Sequence, residues 1–319
     1  MNLLRFLAAC IFTLPLSSFA QTYPSKPIRL VVPFPPAGAT DILSRELARQ
    51  LSDRLKQQVI VDNRPGAGGT LGSDIVAKSA PDGYTIQMAT SSTHSIGPSL
   101  NSKIPYNAQN DFTPVAHVAN SVNLLVIAPN VKANNVSELV GLLKANPAQF
   151  NFGSSGNGTI VHLTGELFKS MTGTYVVHIP YRGTALVIPD MMTGQIHMLF
   201  DNIASAMPHI KDGKLRAIAV TSTKRSPLLP TLPPVSDSIP GFESVTWFGV
   251  FGPKAMPAEV TQRLNSEINA VLKSPEFLDR LRVLGYDAAG GTPAEFTKVV
   301  ADDTTKWARL IKERKITGE

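Results

Sequence analysis

The segment Gly153-Ser154-Ser155-Gly156-Asn157-Gly158-Thr159 concentrates the residue types that hold small anions. Its glycines let a ligand approach the backbone N–H groups closely, and the hydroxyls of Ser154 and Thr159 add donors. A helical pattern begins at about Thr159 and runs to Met171. The segment would therefore sit at a helix N-terminus, where free N–H groups and the helix dipole favour negative charge. It lacks the Lys that a nucleotide-binding loop carries, which leaves a carboxylate or similar anion as the ligand class. His162 lies one turn into that helix. It either reaches the same ligand or is a satisfied core histidine.

Four other short segments share this character, each following an apolar run. Phe34 and Pro36-Ala37-Gly38-Ala39-Thr40-Asp41 join a strand to a helix that Thr40 or Asp41 would cap. They meet a ligand there, or are only a capped helix start. Ser91-Ser92-Thr93 offers hydroxyls and backbone donors after another strand. In Pro180-Tyr181-Arg182-Gly183-Thr184, Tyr181 and the backbone at Gly183 are candidates for ligand contact. Arg182 either forks onto a carboxylate or enters an exposed or interdomain salt bridge. Asp201 ends a further strand; it could accept from a ligand ammonium or hydroxyl, hold a water, or cap a helix.

No recognisable catalytic motif accompanies these loops. The sequence has no GxxxxGK[ST], HExxH, GxSxG or CxxC. Gly66-Ala67-Gly68-Gly69-Thr70-Leu71-Gly72 invites a dinucleotide reading, but GxGxxG would need glycine where Leu71 stands, so a tight strand-to-helix turn is the better reading. The six His show no pair at metal-ligand spacing, and no cofactor is implied. A secreted hydrolase would need an activated nucleophile, and no Ser has a base nearby in sequence. The chain therefore reads as a binding protein rather than an enzyme.

The elements that must position these loops come in two sets. Ile28–Val32 reads as a buried strand. A helix over Asp41–Leu55 follows, with Leu43, Leu47, Leu51 and Leu55 on one stripe. Val59–Val61 is the next strand, then come a helix near Thr70–Ser79 and a strand over Tyr84–Ala89. This β-α-β-α-β rhythm implies a parallel sheet with helices on its faces. A second set starts near Asn123, with strands at Leu124–Ala128, Val176–Ile179, His197–Phe200 and Ala217–Thr221. Its helices are one capped by Ser137 and the one beginning at Thr159. A strand over Val245–Phe251 and three helices, near Pro257–Leu272, Pro275–Leu284 and Pro293–Ile311, complete the chain. The expected organisation is a leader over 1–20, a discontinuous first lobe of 21–123 plus 247–319, and a second lobe of 124–246.

The leader is read from Arg5, the apolar run Phe6–Leu16 and the small residues Ser18 and Ala20, a pattern of secretion with cleavage after Ala20. Cys10, the one cysteine, would leave with it, so the mature chain has no disulfide. The whole sequence has 30 Lys+Arg against 24 Asp+Glu. Removing Arg5 leaves 29 against 24, a net +5 of scattered charge, which mildly favours anionic solutes and is no nucleic-acid footprint.

As an ordered set, several motifs resemble the tripartite tricarboxylate transporter substrate-binding proteins, the Bug (TctC) family. They are Tyr23-Pro24-Ser25-Lys26-Pro27-Ile28, Pro33 to Asp41, Asp62-Asn63-Arg64-Pro65-Gly66-Ala67-Gly68-Gly69, Pro81-Asp82-Gly83-Tyr84-Thr85, Asp111-Phe112-Thr113-Pro114-Val115, Gly153 to Gly158, Pro180-Tyr181-Arg182-Gly183, Gly213-Lys214-Leu215-Arg216-Ala217 and Trp247. The resemblance covers essentially all of the mature chain. It implies a type II periplasmic binding fold, a two-lobed Venus flytrap of mostly parallel sheets flanked by helices. It also implies a monomer in the periplasm that closes on a small carboxylated solute for a two-subunit membrane permease. A periplasmic sensor feeding a two-component system would share the same fold and site. Ala37 and Ala39 stand where the family's first loop more often has glycine, which puts the backbone approach there in doubt.

Overall fold

The computed structural model describes residues 23–101 and 103–317; the expected leader over 1–20, with Cys10, lies outside them. Strand β1 (Ile28–Val32) is buried at every position but Arg29. Ile28, Leu30 and Val32 enter one core cluster, and Val31 enters another on the opposite face. A strand covered on both sides reads as a continuous apolar run, which is why β1 is so plain in the sequence. It pairs in parallel with β2 (Val59–Asn63) and β3 (Thr85–Thr90). Helix α1 (Ala39–Leu55) links β1 to β2, and α2 (Thr70–Ala77) links β2 to β3. The expected leucine stripe of α1 is buried from Leu43 to Leu55.

The segment after β3 differs from expectation. Ser91-Ser92-Thr93 is not an open loop: Ser92–Ile96 forms a π-helical turn that runs on into α3 (Gly97–Leu100). Pro98 falls in the first turn of α3, where its missing N–H costs no hydrogen bond.

Strand β4 (Phe112–Ile127) is 16 residues long and belongs to both halves of the molecule. Its residues up to Val122 pair antiparallel with β9 (Val245–Pro253), and Ala119–Ser121 also pair with β10 (Tyr286–Ala288). From Asn123 on it pairs with β7 (Met198–Asn202) and β8 (Arg216–Val220). Strands β5 (Asn151–Ser154) and β6 (Val177–Pro180) extend the second half in parallel with β7. The first half thus runs β2-β1-β3-β9-β4-β10 and the second β6-β5-β7-β4-β8, joined through β4 into one curled sheet. Four of six strands point one way in the first and four of five in the second, the mostly parallel arrangement expected.

In the second half, α4 (Val136–Ala145) is capped by Asn135, whose side chain accepts the Glu138 N–H, and not by Ser137. Asn135 has the extended backbone a cap needs, while Ser137 is already inside the helix. Helix α5 (Ile160–Thr172) is capped by Thr159. The short α6 (Ile188–Met192) precedes β7, and α7 (Ile203–Lys211) follows it despite carrying Pro208. Helices α8 (Ala258–Leu272) and α9 (Pro275–Leu284) cover the first half. The last helix, α10 (Pro293–Arg314), puts Phe296 and Val300 against the first sheet and Trp307 into the core of the second. No helix among the described residues is long and apolar enough to cross a membrane.

Candidate functional site

The carboxyl ends of β1, β3, β5, β6 and β7 converge on one cavity of about 40 Å3 between the two halves. Such strand ends are where open α/β sheets take their ligands. From the first half come Phe34, Pro36, Gly38, Ala39 and Thr40, with Thr90 and Ser92 at the end of β3. From the second come Ser155, the start of α5, Gly183–Ala185, Asp201 and Asn202. Thr246 and Phe248 of β9 form the floor.

The β1–α1 loop is braced from behind. Gly38 is the N-cap of α1, with extended backbone and no side-chain cap, so neither Thr40 nor Asp41 caps the helix as expected. Both fall within its first turn. Asp41 instead reaches back to the Ala37 N–H at 3.0 Å, binds Asn63 Nδ2 at 2.9 Å and pairs with Arg45. Burial alone would raise the Asp41 carboxyl, but the hydrogen bonds from Arg45, Asn63 and Ala37 outweigh it and hold the group below its ordinary range. Ala37, at a φ of 66°, is turned outward and exposed. The brace leaves Gly38, Ala39 and Thr40 facing the cavity.

The second half meets this loop closely. A Cβ built on Gly183 would lie 2.8 Å from Pro35 Cγ. The Ile160 N–H at the start of α5 donates to Ser92 Oγ at 2.9 Å. One on Gly68 would come within 2.5 Å of the Asn157 carbonyl, so the glycine-rich turn after β2 is where the halves touch. Its glycines are required by close approach, and a dinucleotide has no part in that requirement.

The Gly153–Thr159 segment is ordered by its own side chains. Ser154 is fully buried at the end of β5; its Oγ lies 2.6 Å from His178 Nε2 and accepts the Gly156 N–H at 3.1 Å. Thr159 Oγ1 donates to the Gly156 carbonyl at 2.7 Å. His162 Nδ1 accepts the Gly158 N–H at 3.2 Å, and its ring stacks on His178 with centroids 4.0 Å apart. Burial first, then the neighbouring charges of His178 and Lys169, pull the His162 pKa down to about 3, so it is neutral. Ser154, Thr159 and His162 shape the loop from inside and do not line the cavity. Ser91 and Thr93 are likewise turned inward; Thr93 Oγ1 donates to the Thr90 carbonyl at 3.1 Å. Gly156, Tyr181 and Arg182 line an outer opening with Phe34 and Gly66–Gly69, and Gly158 lines another beside Ser92. Tyr181 donates to Asp190, and Arg182 is exposed.

Sequence reasoning placed Thr90, Ser155, Thr184 and Asn202 within its candidate segments without singling them out, and it missed Ile160, Val161, Ala185, Thr246 and Phe248. Most directly adjoin segments it singled out. Thr246 and Phe248 carry no local signal, because β9 is brought between β3 and β4 only by the fold. Among the described residues no Lys, Arg or His lines the cavity, and no group of His, Cys, Asp and Glu could hold a metal ion. The arrangement offers an anion hydroxyls, backbone N–H groups and the uncapped start of α1.

The profile of the tripartite tricarboxylate transporter family receptor, TctC, matches residues 43–316. The chain belongs to the TctC family. TctC relatives include BugT of Bordetella pertussis, 36% identical over 310 residues that cover 97% of this chain and 94% of BugT. Among solved TctC-like structures, R. palustris Rpa4515 with adipate superposes with a TM-score of 0.90 at 33% identity, covering 92% of this chain and 99% of that one. MatC from Rhodopseudomonas palustris with bound malate does so with a TM-score of 0.87 at 27% identity, covering 91% and 100%. The expected two-lobed periplasmic binding fold of the TctC type is therefore the fold of this chain.

Proposed function

We propose that the protein is an extracytoplasmic solute-binding protein that captures a small carboxylate-bearing metabolite in the cleft between two lobes, 21–123 plus 247–319 and 124–246. The observation that carries this reading is the meeting of Gly38–Thr40 with Gly183–Ala185 across one cavity. The solutes of Rpa4515 and MatC, adipate and malate, point to the same ligand class. A carboxylate of the solute is held by the first-turn N–H groups of α1 and the hydroxyls of Thr40 and Ser92. A cavity of about 40 Å3 has room for only a few water-sized groups. A dicarboxylate enters when the lobes part, and its contacts to both favour the closed state. The leader sends the chain to the periplasm as a monomer, and the loaded form is offered to a two-subunit membrane permease of the tripartite tricarboxylate type.

A thermal-shift screen of the mature chain against carboxylates tests this. A solute present at 100 times its Kd should stabilise the folded state by about 2.7 kcal/mol and raise Tm. If none of a broad set of mono-, di- and tricarboxylates raises Tm, the reading fails.

A further inference from the structure

The cavity holds a group that its anion-binding loops do not require. Asp201 is 1% exposed and lines the cavity, so a carboxyl group stands where a carboxylate solute must sit. Its Oδ1 accepts the Asn202 N–H at 2.9 Å, while Oδ2 has no hydrogen-bond partner in the protein. No basic side chain lines the cavity to neutralise it. Two ionised carboxylates brought together away from water repel strongly, and such pairs retain a proton between them.

We propose that Asp201 receives the solute as a neutral carboxylic acid, its Oδ2–H donating to a carboxylate oxygen of the solute, so that capture by the ionised form takes up a proton. The inference rests on the reading of the cleft as a carboxylate site. The proton comes from solvent and stays on Asp201, and no other bond forms or breaks. Burial pushes the Asp201 carboxyl up to about 7, against the pull of the Asn202 N–H that donates to Oδ1. The titratable group facing it is the Tyr286 phenol of β10, which burial keeps neutral. The paired residue on β4 is Leu124, which is apolar. The solute class narrows accordingly. An acid donor favours solutes that present a carboxylate at this end, as plain and hydroxylated diacids do. It disfavours amino acids that would present an ammonium group there.

Two readouts on the mature chain decide the matter. The first is infrared difference spectroscopy of the solute-free protein, wild type against Asp201→Asn. The carboxylic-acid carbonyl band should titrate with a midpoint near neutrality; a midpoint near 4, the ordinary carboxylate value, overturns the proposal. The second is calorimetric titration with adipate and with malate from pH 6 to pH 8.5, in buffers of differing ionisation enthalpy. Wild-type affinity should weaken about tenfold per pH unit above 7, with net proton uptake approaching one. Asp201→Asn keeps a donor but cannot titrate, so its affinity should be flat with pH and exceed the wild type's at pH 8.5 by about tenfold or more. If the variant is weaker than wild type at every pH, Asp201 works as an ionised acceptor: the proposal falls and the carboxylate cleft stands. If no carboxylate binds the wild type, the cleft reading falls, and the infrared midpoint alone decides the state of Asp201.

Discussion

His94 packs its ring between Phe112 and Phe251, at centroid distances of 4.5 and 4.4 Å, with no exposed surface. Its Nδ1 meets Thr93 Oγ1 at 3.0 Å, and its Nε2 has no partner. Burial pulls its pKa from 6.5 to about 3. His162 is held near the same value. Both imidazoles are neutral in the folded chain and free to protonate in the unfolded one. Below pH 6.5 the unfolded state binds more protons, so stability is complete above 6.5 and is lost as pH falls toward 3. Denaturant titrations at pH 7 and pH 5 should differ by roughly 2 kcal/mol for each such imidazole. His94→Phe should flatten that pH dependence by one imidazole's share, and an unaltered slope would count against the assignment. Ser154 and His178 show why proximity alone makes no nucleophile. The pair lies at hydrogen-bond distance, but the hydroxyl is fully buried and already accepts the Gly156 N–H. It sets the shape of a loop.

Helix α1 carries the site's first loop and depends on its leucine stripe for position. Leu47 has no exposed surface and lies in the cluster shared with α8 and β1. Leu47→Ala should destabilise the fold by about 2–5 kcal/mol in equilibrium denaturation. A loss under 1 kcal/mol would mean that α1 is held from elsewhere. The same stripe explains what was legible in the sequence. Where an element buries one face or both within its own residues, its period is written there, as in β1, α1, α5 and α8. Where position depends on distant chain, no period records it. Thr246 reaches the cavity because β9 inserts between β3 and β4. Strand β10 is three residues long, too short to show alternation. Helix α7 was hidden by Pro208. The loops of the site stood out because anion-holding segments are built from Gly, Ser and Thr. Which of their side chains turn inward, as Ser154 and Thr93 do, depends on partners such as His178 that lie on other elements.

At the scale of the molecule, the halves are tied together at a buried polar knot where β4 changes partners. Asn123 Oδ1 accepts from Asn202 Nδ2 at 2.7 Å and from Thr246 Oγ1 at 3.3 Å, and the Asn123 N–H donates to Thr221 Oγ1 at 3.0 Å. The halves meet again at the cavity, where Gly183 lies against Pro35. Gly183 has a φ of 165°, extended backbone that any residue adopts. A side chain there conflicts with the second half's partner only when the cleft is shut. Gly183→Val should leave stability within about 0.5–1 kcal/mol of wild type. It should weaken solute binding at least about tenfold, the effect of a 1.4 kcal/mol penalty on closure. Small-angle scattering should show a larger radius of gyration with solute present. Unchanged affinity and radius together would place the moving contact elsewhere.

The insertion of β9 between β3 and β4 also dictates an order of assembly. The first sheet lacks its inner strand until residues 245–253 are available, when about three-quarters of the 319-residue chain has been made. Until then β3 and β4 have no neighbour to bridge them, and loop closure over so long a stretch is slow. The last quarter of the chain thus acts as the bolt that locks a body whose other parts all precede it in sequence.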